Sequence, residues 1–372
     1  MPDVSPDRLL ADIAALAAIG GRPDYGVDRL AGSDADLEGR RWFAGRLREA
    51  GLTAEMDEVN NVFGHPEAGA PWLLLGSHTD TVPAGGRLDG AYGCLAALEV
   101  VRALHEAGHP AAGAVAVADF HNEEGVLPTG FDGSEHFCAG PWRPQVRGYL
   151  ELHIEQGPRL EAEGLELGVV EGIVGIDRYA VAVHGEPNHA GTTPFDHRRD
   201  AGRVAARFVG GLRELVQQVE ANMVANVGEI HFEPGAANVV PGLARFTLEL
   251  RSLQPEVLGR AAATCSEELR ALAEADGCSA VIEPLSSWPP QPLDAGYVEA
   301  LERACRRLDR PWRRLASGAG HDAQILARHV PSAMLFVPSR GGVSHSPAEH
   351  TDPEHLVLGC QALLEAVLEI VR

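Results

Sequence analysis

Short apolar runs alternate with helical stretches through the first half of the chain. Trp72-Leu73-Leu74-Leu75-Gly76 and Ala114-Val115-Ala116-Val117-Ala118 are uninterrupted apolar runs with polar tails, the pattern of strands buried in a parallel sheet. Residues 93–107 between them have helical periodicity and stop before Gly108, which predicts a β-α-β unit. In open α/β sheets, ligands gather in the crevice at the carboxyl ends of the strands. The N-terminal residues 1–20 read as an amphipathic helix. The middle of the chain changes character. Residues 179–184 alternate like a half-exposed antiparallel strand, 200–220 read as a helix, 226–232 and 244–251 as strands, 255–276 as a helix and 278–284 as a last strand. That order is the ferredoxin-like split unit. The proline cluster at 288–292 predicts a linker, after which a helix at 295–307 and a strand at 332–337 resume the α/β pattern. The expected organisation is therefore an α/β domain, a mixed central sheet flanked by helices, built from residues 1–176 and 290–372. A small α+β insert at 177–289 interrupts it.

Length and charge narrow the function. The chain of 372 residues is long enough for two domains, and its 53 acidic against 31 basic side chains give a formal charge of −22. Phosphate neutralisation needs clustered Lys and Arg, so this balance argues against a nucleic-acid or anionic-membrane partner. No stretch approaches the ~20 apolar residues of a membrane span, and the N-terminus lacks the basic-then-apolar layout of a signal peptide. The six scattered cysteines contain no C-x-x-C pair and read as reduced thiols of a cytoplasmic protein.

The densest chemistry follows the first apolar strand. In GSHTDTV (76–82), His78 falls at the strand's carboxyl end and Asp80 follows at i+2, where a carboxylate can fix an imidazole tautomer for metal binding. Asp89 sits in a glycine-rich loop ahead of the helix. The next strand runs into His121-Asn122-Glu123-Glu124-Gly125, where one glutamate can ligate a metal and its neighbour stay free as a base. ELHIEQGP (151–158) supplies His153, and GGVSHSPAEHT (341–351) supplies His345. Mixed imidazole and carboxylate donors suit Zn²⁺, Mn²⁺, Co²⁺ or Ni²⁺, and a shared carboxylate suits two ions ~3.5–4 Å apart.

With these, RLDGAYG (87–93), NEEG (122–125), NHAGTTP (188–194), ANVVPG (237–242) and SGAGHDAQ (317–324) stand in one order along the chain. Together the motifs resemble the hydantoinase/carbamoylase family of dinuclear metal amidohydrolases, within the wider metallo-aminoacylase and metallopeptidase clan. The resemblance runs from about residue 10 to the C-terminus. It implies a metallopeptidase-like α/β catalytic domain whose ferredoxin-like insert is a lid and dimerisation domain, hence a homodimer. By the same resemblance, His78 is a metal histidine, Asp89 bridges the ions, Glu124 and His345 share one ion, and His153 replaces a carboxylate found in many related peptidases. Glu123 matches the general base, Asp80 the orienting acid, and His189 the insert residue that stabilises the developing oxyanion. Gln156, Asn238, Arg251 and His321 match substrate-binding positions.

Elementary chemistry agrees with those roles. Ureas and amides are poor electrophiles, so their hydrolysis calls for activated water, a base to take its proton, and a positive group for the oxyanion. Arg251 offers a planar fork for a substrate carboxylate. The implied activity is hydrolysis of an N-carbamoyl-L-amino acid to the amino acid, CO2 and ammonia, with a small anionic ureido acid as ligand and two divalent ions as cofactors. Allantoate or N-carbamoyl-β-alanine hydrolysis is the alternative, followed by N-acyl-amino-acid deacylase or peptidase activity. A non-catalytic binding protein would be expected to have lost Glu123 or a ligand, and this chain keeps them all. Singly, Arg251 could be a solvated strand end, Asn238 a turn residue, Gln156 a packed strand end and His321 a helix N-cap. The chain departs from the family around the glutamate pair, with His121-Asn122 before it and Val126-Leu127-Pro128-Thr129 after it.

Overall fold

A computed structural model describes residues 2–67, 69–127 and 130–371. Pro128 and Thr129 of the unusual loop lie outside the described residues. The chain divides into two compact units, Met1–Ile173 with Pro292–Arg372, and Val174–Gln291. The sequence reading put these boundaries at 176/177 and 289/290.

The larger unit is built on a mixed sheet. Its strands are β1 (Thr53–Met56), β2 (Val62–His65), β3 (Trp72–His78), β4 (Val115–Phe120), β5 (Val146–Ile154), β6 (Leu167–Ile173), β7 (Trp312–Ser317) and β8 (Ser332–Val337). They run β1-β2-β4-β3-β5-β8-β6, with β7 beside β6, and the two-residue strand Gln291–Pro292, within the proline cluster read as a linker, also pairs with β6 as the ninth strand. Strand β3 pairs parallel with β4 and β5, and β8 pairs parallel with β5. The outer pairs β1–β2, β2–β4 and β6–β8 are antiparallel. Every residue of β3, β4 and β8 is buried, as their unbroken apolar runs require. The helix Ala91–Glu106 crosses from β3 to β4 and is buried along almost its whole length. Four adjacent strands, β4, β3, β5 and β8, thus point their carboxyl ends the same way. His78 and His153 stand at the carboxyl ends of β3 and β5 themselves, and the segments that follow β4 and β8 carry Glu123, Glu124 and His345.

The second unit has its own core. Its antiparallel sheet runs Ile230–Glu233, Leu243–Ser252, Gly175–His184, Ser279–Trp288, with helices Ala201–Val219 and Pro255–Ala275 contributing Phe208 and Leu269 to an apolar cluster with Phe246 and Leu248. Order and direction are those of the ferredoxin-like unit. Two readings need correction. The strand read at 226–232 is two pieces, Val224–Asn226 and Ile230–Glu233, because Gly228 and Glu229 leave the ladder. The last strand does not stop at Pro284 but continues through a register shift between Pro284 and Ser286 to Trp288. It is an edge strand, where a missing N–H costs no ladder bond. Among the described residues no helix is long and apolar enough to cross a membrane, and the six cysteines are free thiols.

Candidate metal centre

Asp89 is the hub of the larger unit. Its Oδ1 lies 3.2 Å from His153 Nε2 and 3.8 Å from His78 Nε2, and its Oδ2 lies 3.3 Å from His345 Nε2. His345 Nε2 is also 3.3 Å from Glu124 Oε2. Among the described residues the donor atoms fall into three groups: His78-Asp89-His153 and Asp89-Glu124-His345, which share this one carboxylate, and Glu151-His153-His321, which does not include it. Glu123 Oε2 lies 3.5 Å from His78 Nε2 and belongs to none of these groups. Local backbone makes the convergence possible. Gly90 has φ 63°, and a Cβ there would lie 2.3 Å from His78 Nε2. Asn122 also has positive φ, and its side chain accepts from Leu127 N and donates to Asp132, so the two glutamates are carried on a pinned turn.

The imidazoles are oriented as ligands. His78 Nδ1 faces the Asp80 carbonyl at 3.0 Å and His153 Nδ1 faces the Ile154 carbonyl at 2.8 Å. A carbonyl can only accept, so Nδ1 carries a proton and each Nε2 points toward the shared carboxylate, that of His153 also lying 3.0 Å from Gly90 N. The nearer partner of His78 is thus the Asp80 backbone, with the Asp80 carboxylate at 3.9 Å. Asp80 itself accepts from Glu124 N at 3.3 Å and from Arg40 Nη2 at 3.1 Å.

Electrostatics shows what the cluster lacks. Burial, then the neighbouring Glu124, pushes Glu123 well above the usual carboxylate range. Burial and Asp89 push Glu124 up to about 8. Burial disfavours ionised Asp89, yet hydrogen bonds from His153 and His345 hold it well below its ordinary value. Burial depresses His78. Burial likewise opposes charge on His153, but its bond to Asp89 raises it to about 9, and the same partner raises His345 to about 9. Among the described residues, the ion pairs of Asp89, Glu123 and Glu124 are with histidines alone. Carboxylates crowded in this way, facing Nε2 atoms that can exchange a proton for a cation, fit divalent metal binding.

The other predicted residues divide by unit. Gln156 adopts φ 57° and donates from Nε2 to Asp89 Oδ2 at 2.8 Å, while its buried Oε1 has no hydrogen-bond partner. His321 is buried at the start of the helix Asp322–Leu326, with its ring 4.7 Å from that of His153, Nε2 2.9 Å from Ser317 Oγ and Nδ1 without a partner. Burial holds it neutral, well below the usual histidine value. His189, Asn238 and Arg251 belong to the second unit. His189 pairs with Val239 beside the exposed Asn238, and Ala190 N donates to the Asn238 carbonyl at 2.9 Å. Arg251 lies near the far end of Leu243–Ser252 and pairs with Glu249 at 2.8 Å.

The sequence reading missed the residues behind the ligands. Arg40, fully buried, bridges three buried carboxylates: Asp36 at 2.8 Å, Asp119 at 3.0 Å and Asp80 at 3.1 Å. Glu151 accepts from Ser77 Oγ at 2.7 Å and from Ala323 N at 2.9 Å, bracing β5 against its neighbours. The i,i+4 spacing of Asp36 and Arg40 was a visible signal, but an isolated one.

Comparison with known proteins places this geometry. Residues 74–369 match peptidase family M20/M25/M40. Allantoate amidohydrolase of Escherichia coli K12 is 34% identical, with 94% of each chain covered. An N-carbamoyl-L-amino acid amidohydrolase of Geobacillus stearothermophilus is 32% identical over 99% of each. The crystal structure of a hydantoinase/carbamoylase family amidase from Burkholderia ambifaria superposes with a TM-score of 0.93 at 34% identity, covering 100% of this chain and 99% of that one.

Removing Arg40 would leave three carboxylates buried without their counter-charge. Arg40→Ala is expected to cost about 3–5 kcal/mol of stability in denaturant unfolding. An unchanged unfolding midpoint would show that the network is not what holds Asp80.

Proposed function

The chain belongs to peptidase family M20/M25/M40, and on that premise we propose that it hydrolyses the ureido C–N bond of an N-carbamoyl-L-amino acid through two divalent ions held on either side of Asp89. The observation that carries this reading is a single carboxylate shared by two ligand groups, with a further buried glutamate, Glu123, left outside both. His78 and His153 would hold one ion, and Glu124 and His345 the other. Bound ions of Zn, Mn, Co or Ni type would supply Lewis-acid charge that activates water and polarises the scissile carbonyl.

The chain's own groups do the rest. Glu123 takes a proton from the attacking water as its oxygen bonds to the carbamoyl carbon, then delivers it to the α-nitrogen as the C–N bond breaks. The amino acid leaves with that proton, and the carbamate falls to CO2 and ammonia. Arg40 and the Glu124 amide hold Asp80 beneath His78. Gln156 Oε1 and His321 Nδ1 are both buried and without a hydrogen-bond partner, and we assign them to substrate contacts. We assign the oxyanion to His189 and the substrate carboxylate to Arg251, with Asn238 contributing a hydrogen bond. Allantoate is a second reading, supported by the relative of that name at 34% identity. It keeps the same ureido and carboxylate contacts.

The insert sets a condition on these roles. His189 and Asn238 flank the Leu243 end of the strand Leu243–Ser252, whereas Arg251 is near its other end. At ~3.3 Å per residue these ends are ~25 Å apart, too far for one small substrate to touch both in one copy. We therefore propose a homodimer in which each site takes Arg251 from one copy and His189 with Asn238 from the other.

The reading is tested by a panel of N-carbamoyl-L-amino acids, N-carbamoyl-β-alanine, allantoate and N-acyl amino acids offered to metal-loaded protein, with ammonia and amine release followed. Turnover of a carbamoyl-L-amino acid is expected, and Glu123→Gln should reduce its kcat ~10²–10⁴-fold while metal content is kept. Activity on N-acyl amino acids alone would overturn the ureido assignment. Mixing His189→Ala with Arg251→Ala protein, each inactive by itself, should restore activity through mixed dimers. No recovery in a verified mixed dimer would contradict the shared site.

A further inference from the structure

The catalytic reading uses His345 and leaves Glu349, four residues later, without a task. Glu349 is nevertheless buried beside the centre. Its Oε1 accepts from Leu88 N at 2.8 Å and from Asp89 N at 3.1 Å, and its Oε2 lies 2.9 Å from Ser344 Oγ. Ser344 Oγ is also 2.8 Å from Asp89 Oδ2, so one hydroxyl touches both acids. The carboxylate is seated on Gly86: a Cβ at that glycine would meet Glu349 Cδ and Oε1 at 2.0 Å.

We propose that Glu349 is a positioning residue that fixes the shared carboxylate Asp89 by clamping its loop. The inference rests on Asp89 being the shared metal ligand. Asp89 stands on a loop with glycines at 85, 86 and 90, which by composition is free to adopt many conformations. Two ligand groups require its two oxygens to face opposite partners, so a small rotation of the loop would spoil both at once. Glu349 removes that freedom by taking two consecutive backbone N–H groups on one oxygen. Through Ser344 it ties the same loop to the segment that presents His345. Gly86 is required for space: only without a side chain can the carboxylate lie against the turn.

Metal titration of chelator-stripped protein with Mn²⁺ alone, followed by calorimetry, reads this without any substrate. Glu349→Ala and Gly86→Ala should each weaken Mn²⁺ binding ~10–100-fold, the usual scale for a residue that orients a ligand. Glu349→Gln keeps an oxygen for the Leu88 and Asp89 N–H groups and should bind close to wild type. The two losses should not add, because in the Glu349→Ala background the Gly86 methyl has no carboxylate to displace. Should Glu349→Ala fail to fold, Gly86→Ala and Glu349→Gln still decide the matter. Wild-type Mn²⁺ affinity in Gly86→Ala, or additive losses in the double variant, would overturn the proposal. Two ions bound normally with no turnover of any ureido acid would instead overturn the functional reading and leave Glu349 its role.

Discussion

Acidic side chains buried without positive partners are the constraint around which this protein is arranged. Burial penalises a charged carboxylate by several kcal/mol unless something nearby repays it. Beneath the sheet's carboxyl edge the repayment is internal, since Arg40 spans Asp36, Asp80 and Asp119. One layer further out, the ion pairs of Asp89, Glu123 and Glu124 among the described residues are with histidines alone, and Asp89 adds only the neutral donors Gln156 and Ser344. The inner layer is a closed account and the outer one is open to cations. That difference separates the scaffold from the reactive layer more sharply than position along the chain does.

The same constraint explains the parallel core. Parallel pairing of β4, β3, β5 and β8 brings four chain-distant loops to one edge. Antiparallel neighbours would have split the ligands between two edges. The glycines at 86 and 90 then let Glu349 and His78 approach the backbone where a side chain would stand in the way. A net charge of −22 is compatible with an anionic substrate on these terms. Divalent ions taken up by the carboxylate and imidazole donors would set the field at the centre, and the surface charge is screened over ~10 Å.

Much of this was legible along the chain, because it is written in short-range patterns. The unbroken runs of β3 and β4, the helix between them and the order of elements in the insert follow from periodicity and turn residues. So do the strand-end positions of His78, Glu123, Glu124 and His153. What periodicity missed was long-range or cooperative. Nothing local says that Arg40 will meet Asp119, or that Glu349 will reach back to Leu88 and Asp89 across some 260 residues. Pro284 looked like a stop because a proline breaks an inner strand, and only the sheet order shows that its strand is at the edge. The resemblance to known amidohydrolases supplied roles for the ligands. The geometry added the residues that hold them.

The most direct test of the central claim is a crystal of the Mn²⁺-loaded protein measured at the manganese absorption edge. The account predicts two anomalous peaks flanking the Asp89 carboxylate, ~3.5–4 Å apart, one beside His78 and His153 and the other beside Glu124 and His345. A single peak, or peaks displaced to Glu151, His153 and His321, would contradict it.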